Sequence, residues 1–124
     1  MDEVPHRLAL LAETHELADG ERVRLRLTRP SDAPLVRDFL ERASAASDLR
    51  VRHFTFYDPR RRLVVAATLP VDGRECVVGL AEVAFHAAEE PVLILVAPDE
   101  PEDSGLEALL AESALTLAGR RAAA

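Results

Sequence analysis

Three consecutive pieces decide how this chain folds: Pro91-Val92-Leu93-Ile94-Leu95-Val96-Ala97, then Pro98-Asp99-Glu100-Pro101-Glu102-Asp103, then Ser104-Gly105-Leu106-Glu107. The first is an apolar run without alternation, the pattern of a strand covered on both faces. The second is an acidic loop. The third opens a helical pattern in which Leu106, Leu109, Leu110, Ala114 and Leu117 share one face. A strand, a glycine-bearing turn and a helix start together make an anion site, because the first N–H groups of a helix have no partner within it. Here Asp99, Glu100, Glu102, Asp103 and Glu107 surround that site. Ser104-x-x-Glu107 also reads as a capping box, with the serine hydroxyl accepting a helix-start N–H and the glutamate reaching back. The shape suits an anion, and the charges oppose one.

Upstream, Asp19-Gly20 is a turn signal between Thr14–Ala18 and the alternating run Val23-Arg24-Leu25-Arg26-Leu27. This predicts a hairpin with Val23, Leu25 and Leu27 on the core and Arg22, Arg24 and Arg26 in solvent. Ser31 is the expected cap of a helix whose buried face carries Leu35, Val36, Phe39, Leu40 and Ala43. Leu49–Tyr57 reads either as a short helix or as an irregular aromatic segment. Leu63–Leu69 and Glu75–Phe85 are strands joined by a turn at Pro70–Arg74, and Gly79 marks a bulge or a close backbone approach. His86–Glu90 is a short acidic turn. Gly119 suits a helix end. Near the N-terminus, Leu8, Leu11 and His15 fall on one helical face of a short, uncapped segment.

The 124 residues suit a single domain, 1–124, with an N-terminal extension at 1–16, a core at 17–119 and a tail at 120–124. Net charge is −7, and all 15 basic residues are arginine, a usage that points to a GC-rich bacterial genome. The acidic balance argues against nucleic acid or an anionic membrane as partner. No apolar run reaches the roughly 20 residues of a membrane span. Met1-Asp2-Glu3 offers no basic leader, so the expected location is cytoplasmic. Cys76, the sole cysteine, is expected to be a buried inert thiol. His6, His15, His53 and His86 lack metal-ligand spacing, so no metal site is expected. Arg60-Arg61-Arg62 reads as a solvated turn, with anion binding as the other reading.

In this order, the elements resemble the first half of the GNAT acyltransferase fold. Asp19-Gly20 with Val23-Arg24-Leu25-Arg26 and Arg29-Pro30-Ser31-Asp32-Ala33 is similar to the opening words of that family. Phe54-Thr55, Asp58 and Arg61-Arg62 before Leu63-Val64-Val65-Ala66 resemble the GNAT domains of bacterial acyl-CoA-ligase-like protein acetyltransferases. The likeness covers roughly residues 17–119. It implies an α/β fold, a truncated GNAT-like, mixed, mostly antiparallel sheet of about five strands with helices packed on it. It also implies that Ser104, Gly105 and Leu106 occupy the turn that holds the acyl-CoA pyrophosphate.

The chain departs from the family pattern in two ways. Glu102 stands where relatives have glutamine or arginine, and Glu107 stands where they have a small residue. A carboxylate about 6 Å from a phosphate costs on the order of 1–3 kcal/mol, less with salt. The family also continues past this helix with elements that carry a leaving-group tyrosine, and Tyr57 does not map to that place. The expected function is therefore a catalytically degenerate acetyltransferase-like domain acting as an interaction or regulatory module. No cofactor is expected, with acetyl-CoA if the site works. The alternative is an active acyl-CoA-dependent N-acyltransferase completed by dimerisation, with Glu82 as a weak candidate base. A third reading is an anion-binding module built on Arg60–Arg62 and the arginine strand. Whether the chain is an enzyme stays open at this point. The expected partners are a second copy, joined through the Val92–Ala97 strand, and a possible further protein.

Overall fold

The computed structural model describes residues 14–85 and 92–123, with backbone alone for Glu102 and for 119–123. The readings of residues 1–13 and of the His86–Glu90 turn lie outside the described residues. The elements are β1 (Thr14–Glu16), β2 (Arg22–Leu27), a 3-10 turn (Pro30–Asp32), α1 (Ala33–Arg42), α2 (Asp48–Thr55), β3 (Arg62–Val71), β4 (Arg74–Ala84), β5 (Val92–Val96), a second 3-10 turn (Glu102–Ser104) and α3 (Leu106–Ala123). The strands form one sheet in the order β1-β2-β3-β4-β5, and each described pairing is antiparallel. This is the expected five-stranded architecture.

Each predicted element follows from its local chemistry. The β1–β2 hairpin closes at Gly20, whose φ of 89° suits a residue without a Cβ. Val23 and Leu25 are fully buried on the α3 side of the sheet, as period-two alternation requires. The ambiguous segment resolves as a helix, because the Ser47 hydroxyl accepts the Arg50 N–H and caps α2. β3 and β4 turn at Asp72 and Gly73, both at positive φ.

The core has two layers, one on each face of the sheet. Leu106, Leu110 and Ala114 of α3 pack on Val23, Leu25 and Val65. On the other face, Val36, Phe39 and Leu40 of α1 and Phe54 of α2 pack on Val64 and Leu80. Gly79 fulfils both of its readings. The register slips beside it, since Ala67 faces Gly79 while Thr68 faces Val77, which leaves Val78 as the extra residue of a bulge. A Cβ at Gly79 would also lie 2.7 Å from Leu110 Cδ1, so the glycine lets α3 approach the sheet.

Four local expectations are corrected. Asp32, not Ser31, receives the chain into the first helix: its carboxylate accepts the Arg29 N–H at 2.7 Å, and Ser31 is exposed. The last helix passes through Gly119 to Ala123, because intrahelical hydrogen bonding outweighs the small cost of one glycine near a helix end. Among the described residues of a single chain, β5 is not covered on both faces. It is the last strand of the described sheet, with Val92 at 37% and Leu93 at 46% exposure. Arg26 does not stand in solvent, as the ion pairs below show. Among the described residues, no helix is long and apolar enough to cross a membrane.

Candidate functional site

The α3 start has a strand, a loop and a glycine turn in the predicted places. Gly105 takes φ 89°, a conformation that suits glycine, and the space where its Cβ would lie is open. The Ser104 hydroxyl is buried and accepts the Leu106 N–H at 3.1 Å. Half of the predicted capping box is therefore present. The other half is absent, since the Ser104 N–H donates to the Pro101 carbonyl at 3.1 Å and Glu107 is exposed. The turn is also tied to the first hairpin, where the Ala18 N–H donates to the Ser104 carbonyl at 2.8 Å. In the turn formed by Ser104, Gly105 and Leu106, two backbone donors, the Ser104 and Leu106 N–H groups, are thus already engaged inside the protein.

Beside this turn lies a cleft of about 320 Å³ lined by Val96, Glu100, Pro101, Ser104 and Glu107. The sequence flagged its acidity, and the structure adds a long-range component. The carboxylates of Asp19, Glu21 and Glu100 come within 4.8 Å of one another, so the hairpin turn adds its charge to that of the loop. Glu100 Oε2 is buried without a hydrogen-bond partner among the described residues. Desolvation, followed by the charges of Asp19, Glu100 and Asp99, pushes the Glu21 carboxyl above its ordinary range. A pyrophosphate would enter a field of carboxylates at this end of the sheet. The residues keep the shape of an anion turn and do not fit the charge of acyl-CoA.

Glu82 sits elsewhere, on the α1–α2 face of β4. Its side chain is only 13% exposed, with Oε2 at 2.8 Å from His53 Nε2 and 3.0 Å from Arg62 Nη1. It is therefore not an outward-facing, solvated carboxylate. Arg62 also donates to the His53 carbonyl at 2.6 Å and lies over the Tyr57 ring. The Tyr57 hydroxyl donates to the Thr28 carbonyl at 3.0 Å, which fixes the ring. His53 was missed as a partner because 29 residues separate it from Glu82. The available signal was that Glu82 shares the strand face of Leu80, which looks toward α2.

The arginine run does not form one cationic site. Arg60 pairs with Asp58 at 3.2 Å, while Arg62 turns to Glu82. Arg26 is clamped between Asp32 and Glu75 and leaves the strand's solvent face. Cys76 has a basic neighbour that its strand did not announce: Arg42 of α1 donates to its sulfur at 3.3 Å and to the Val77 carbonyl.

No family model matches the chain, and no curated protein matches it. Two of the solved structures that resemble it illustrate the likeness. One is the GNAT domain of S. lividans PAT, at TM-score 0.74 and 22% identity, covering 91% of this chain and 74% of that one. The other is a cAMP-binding acyltransferase from Mycobacterium smegmatis, at TM-score 0.59 and 20% identity, covering 94% of this chain. This chain spans 38% of that protein's length. At these identities the likeness establishes the fold, which is that of a GNAT domain.

Proposed function

We propose that this GNAT-fold domain is catalytically degenerate and serves as an interaction or regulatory module. The observation that carries the reading is the α3 start. Glu100 and Glu107 line its cleft, and the Ser104 hydroxyl takes the Leu106 N–H that a phosphate would need. Each carboxylate near a phosphate costs on the order of 1–3 kcal/mol, so two reduce affinity by about thirtyfold or more. The glycine turn itself is open, which makes charge, not shape, the barrier. The test compares acetyl-CoA binding by the wild type and by Glu100→Gln with Glu107→Ala. The variant should bind more tightly by at least about tenfold. Equal affinities would remove the electrostatic argument.

A second reading keeps catalysis. Glu82 and His53 form a close carboxylate–imidazole pair beside Arg62, and such a pair can take a proton from an amine. Under this reading the chain is an acyl-CoA-dependent N-acyltransferase whose site is completed by a second copy. Acylation of an amine by acetyl-CoA, abolished by Glu82→Gln, would support it. The structural likeness to acyltransferases bears on the fold, and the acidic cleft bears against the cofactor.

A further inference from the structure

We infer that the open side of the sheet over β2 is a docking trough for an extended acidic segment of a partner protein. The inference rests on the reading of the domain as an interaction module and names the surface that this module uses. α1 and α2 pack over β3 and β4 on this face, as the contacts of Val36, Phe39 and Phe54 with Val64 and Leu80 record. The β1–β2 side of the sheet carries two adjoining depressions. One, of about 650 Å³, is lined by Arg22, Arg24 and Arg74 with Thr14 and Thr68. The other, of about 620 Å³, is lined by Arg29, Pro30, Phe56, Tyr57 and Leu63. Arg24 lines both, so the two form one trough.

The charge pattern selects the occupant. On a chain of net charge −7, this face gathers exposed guanidinium groups. Among the described residues, Arg24, Arg29 and Arg74 have no ion-pair partner, and Arg22 has only a 3.9 Å approach to Glu16 with both side chains exposed. Glu75 lines the same depression but is engaged by Arg26 at 3.0 Å, and Glu21 is the remaining carboxylate there. Arg22 and Arg24 point to one face two residues apart, which spaces their positions about 6.8 Å along the strand. An extended chain with acids at alternate positions has the same repeat. Beyond Arg24, Phe56 is 60% exposed, with the Arg52 guanidinium 5.1 Å from its ring centroid. Tyr57 is held beside it through Thr28. A partner with alternating acids followed by an apolar anchor matches both halves of the trough.

The test uses fluorescence anisotropy with an end-labelled peptide of alternating glutamate and serine closed by leucine and phenylalanine. Binding should weaken about tenfold between about 50 and about 300 mM salt. Arg24→Glu with Arg74→Glu should abolish it, and Phe56→Ser should weaken it about threefold. Arg61→Glu, an exposed arginine outside the trough, should leave it unchanged. Should the double variant lose its cooperative melt, Arg24→Gln alone should still weaken binding several-fold. Four results would overturn the inference: no binding at low salt, equal binding by the charge-reversed variant, equal binding of a lysine version of the peptide, or displacement by inorganic phosphate at matched ionic strength. Calorimetry with acetyl-CoA on the same preparation separates the two readings. Micromolar acetyl-CoA binding would defeat the degenerate reading, while the peptide result alone decides this one.

Discussion

Arg26 of β2 grips Asp32 at the head of α1 through two parallel bonds, Nη1 to Oδ2 and Nη2 to Oδ1, both 2.8 Å. Its Nε also meets Glu75 Oε2 of β4 at 3.0 Å. One guanidinium therefore joins the second strand, the first helix and the fourth strand. Asp32 is almost buried, at 6% side-chain exposure, so removing its charge leaves Arg26 partly unpaired in a low-dielectric setting. Asp32→Ala is expected to cost about 3 kcal/mol by urea denaturation. Arg26→Lys should not restore the wild type, because an ammonium cannot meet two carboxylates with a planar fork. Wild-type stability in either variant would show the cluster to be incidental.

Acid titration separates two opposite contributions. Hydrogen bonds from Arg26 hold the Asp32 and Glu75 carboxyls below their ordinary values of 3.8 and 4.5. Their stabilisation is fully present above those values and is lost as pH falls through the lower folded ones. Stability should therefore drop steeply below about pH 4, and Asp32→Asn should flatten that drop. Glu21 runs the other way. Its raised carboxyl costs stability at neutral pH, and protonation relieves the cost. Glu21→Gln should stabilise the protein at pH 7 and converge with the wild type in acid, as followed by denaturant melts across pH.

Gly79→Ala should destabilise by about 1–3 kcal/mol through overpacking. The new methyl would sit 2.7 Å from Leu110 Cδ1 and 3.3 Å from the Leu95 carbonyl. Combining it with Leu110→Val should cost less than the sum of the two single changes, because they share one contact. Additive costs in a denaturation cycle would show that the close approach does not set the glycine.

The edge of β5 makes a prediction about assembly. We propose that a second copy meets it. Val92 and Leu93 are exposed and Ile94, Leu95 and Val96 are half-buried, so the strand is apolar along an edge that soluble proteins usually protect. Antiparallel pairing of two β5 strands is self-complementary, as a two-fold dimer requires. Light scattering at micromolar concentration should give twice the 13.6 kDa chain mass, and Leu93→Glu should return the monomer mass. A soluble wild-type monomer would remove the proposal.

Period-two and period-3.6 patterns made the fold legible. The hairpin at Asp19-Gly20, the faces of Val23 and Leu25, and the α1 core residues all sit where alternation and helical spacing put them. The local turn chemistry of Ser104-Gly105 was legible too. What the sequence hid is long-range pairing. Nothing near Arg26 distinguishes it from Arg24 until Asp32 and Glu75 arrive from other elements. The same holds for His53 with Glu82, for Arg42 with Cys76, and for Asp19 and Glu21 beside Glu100. The cover of β5 was not legible either, because an unalternating apolar run looks the same whether its second face is covered by its own chain or by another.

The most direct measurement is calorimetric titration of acetyl-CoA into the wild-type protein at near-physiological salt. With Glu100 and Glu107 at the α3 start and Ser104 already bonded to the Leu106 N–H, the expected result is no saturable heat up to about millimolar ligand. A one-to-one isotherm with a low-micromolar dissociation constant would contradict the account and return the domain to the acyltransferases.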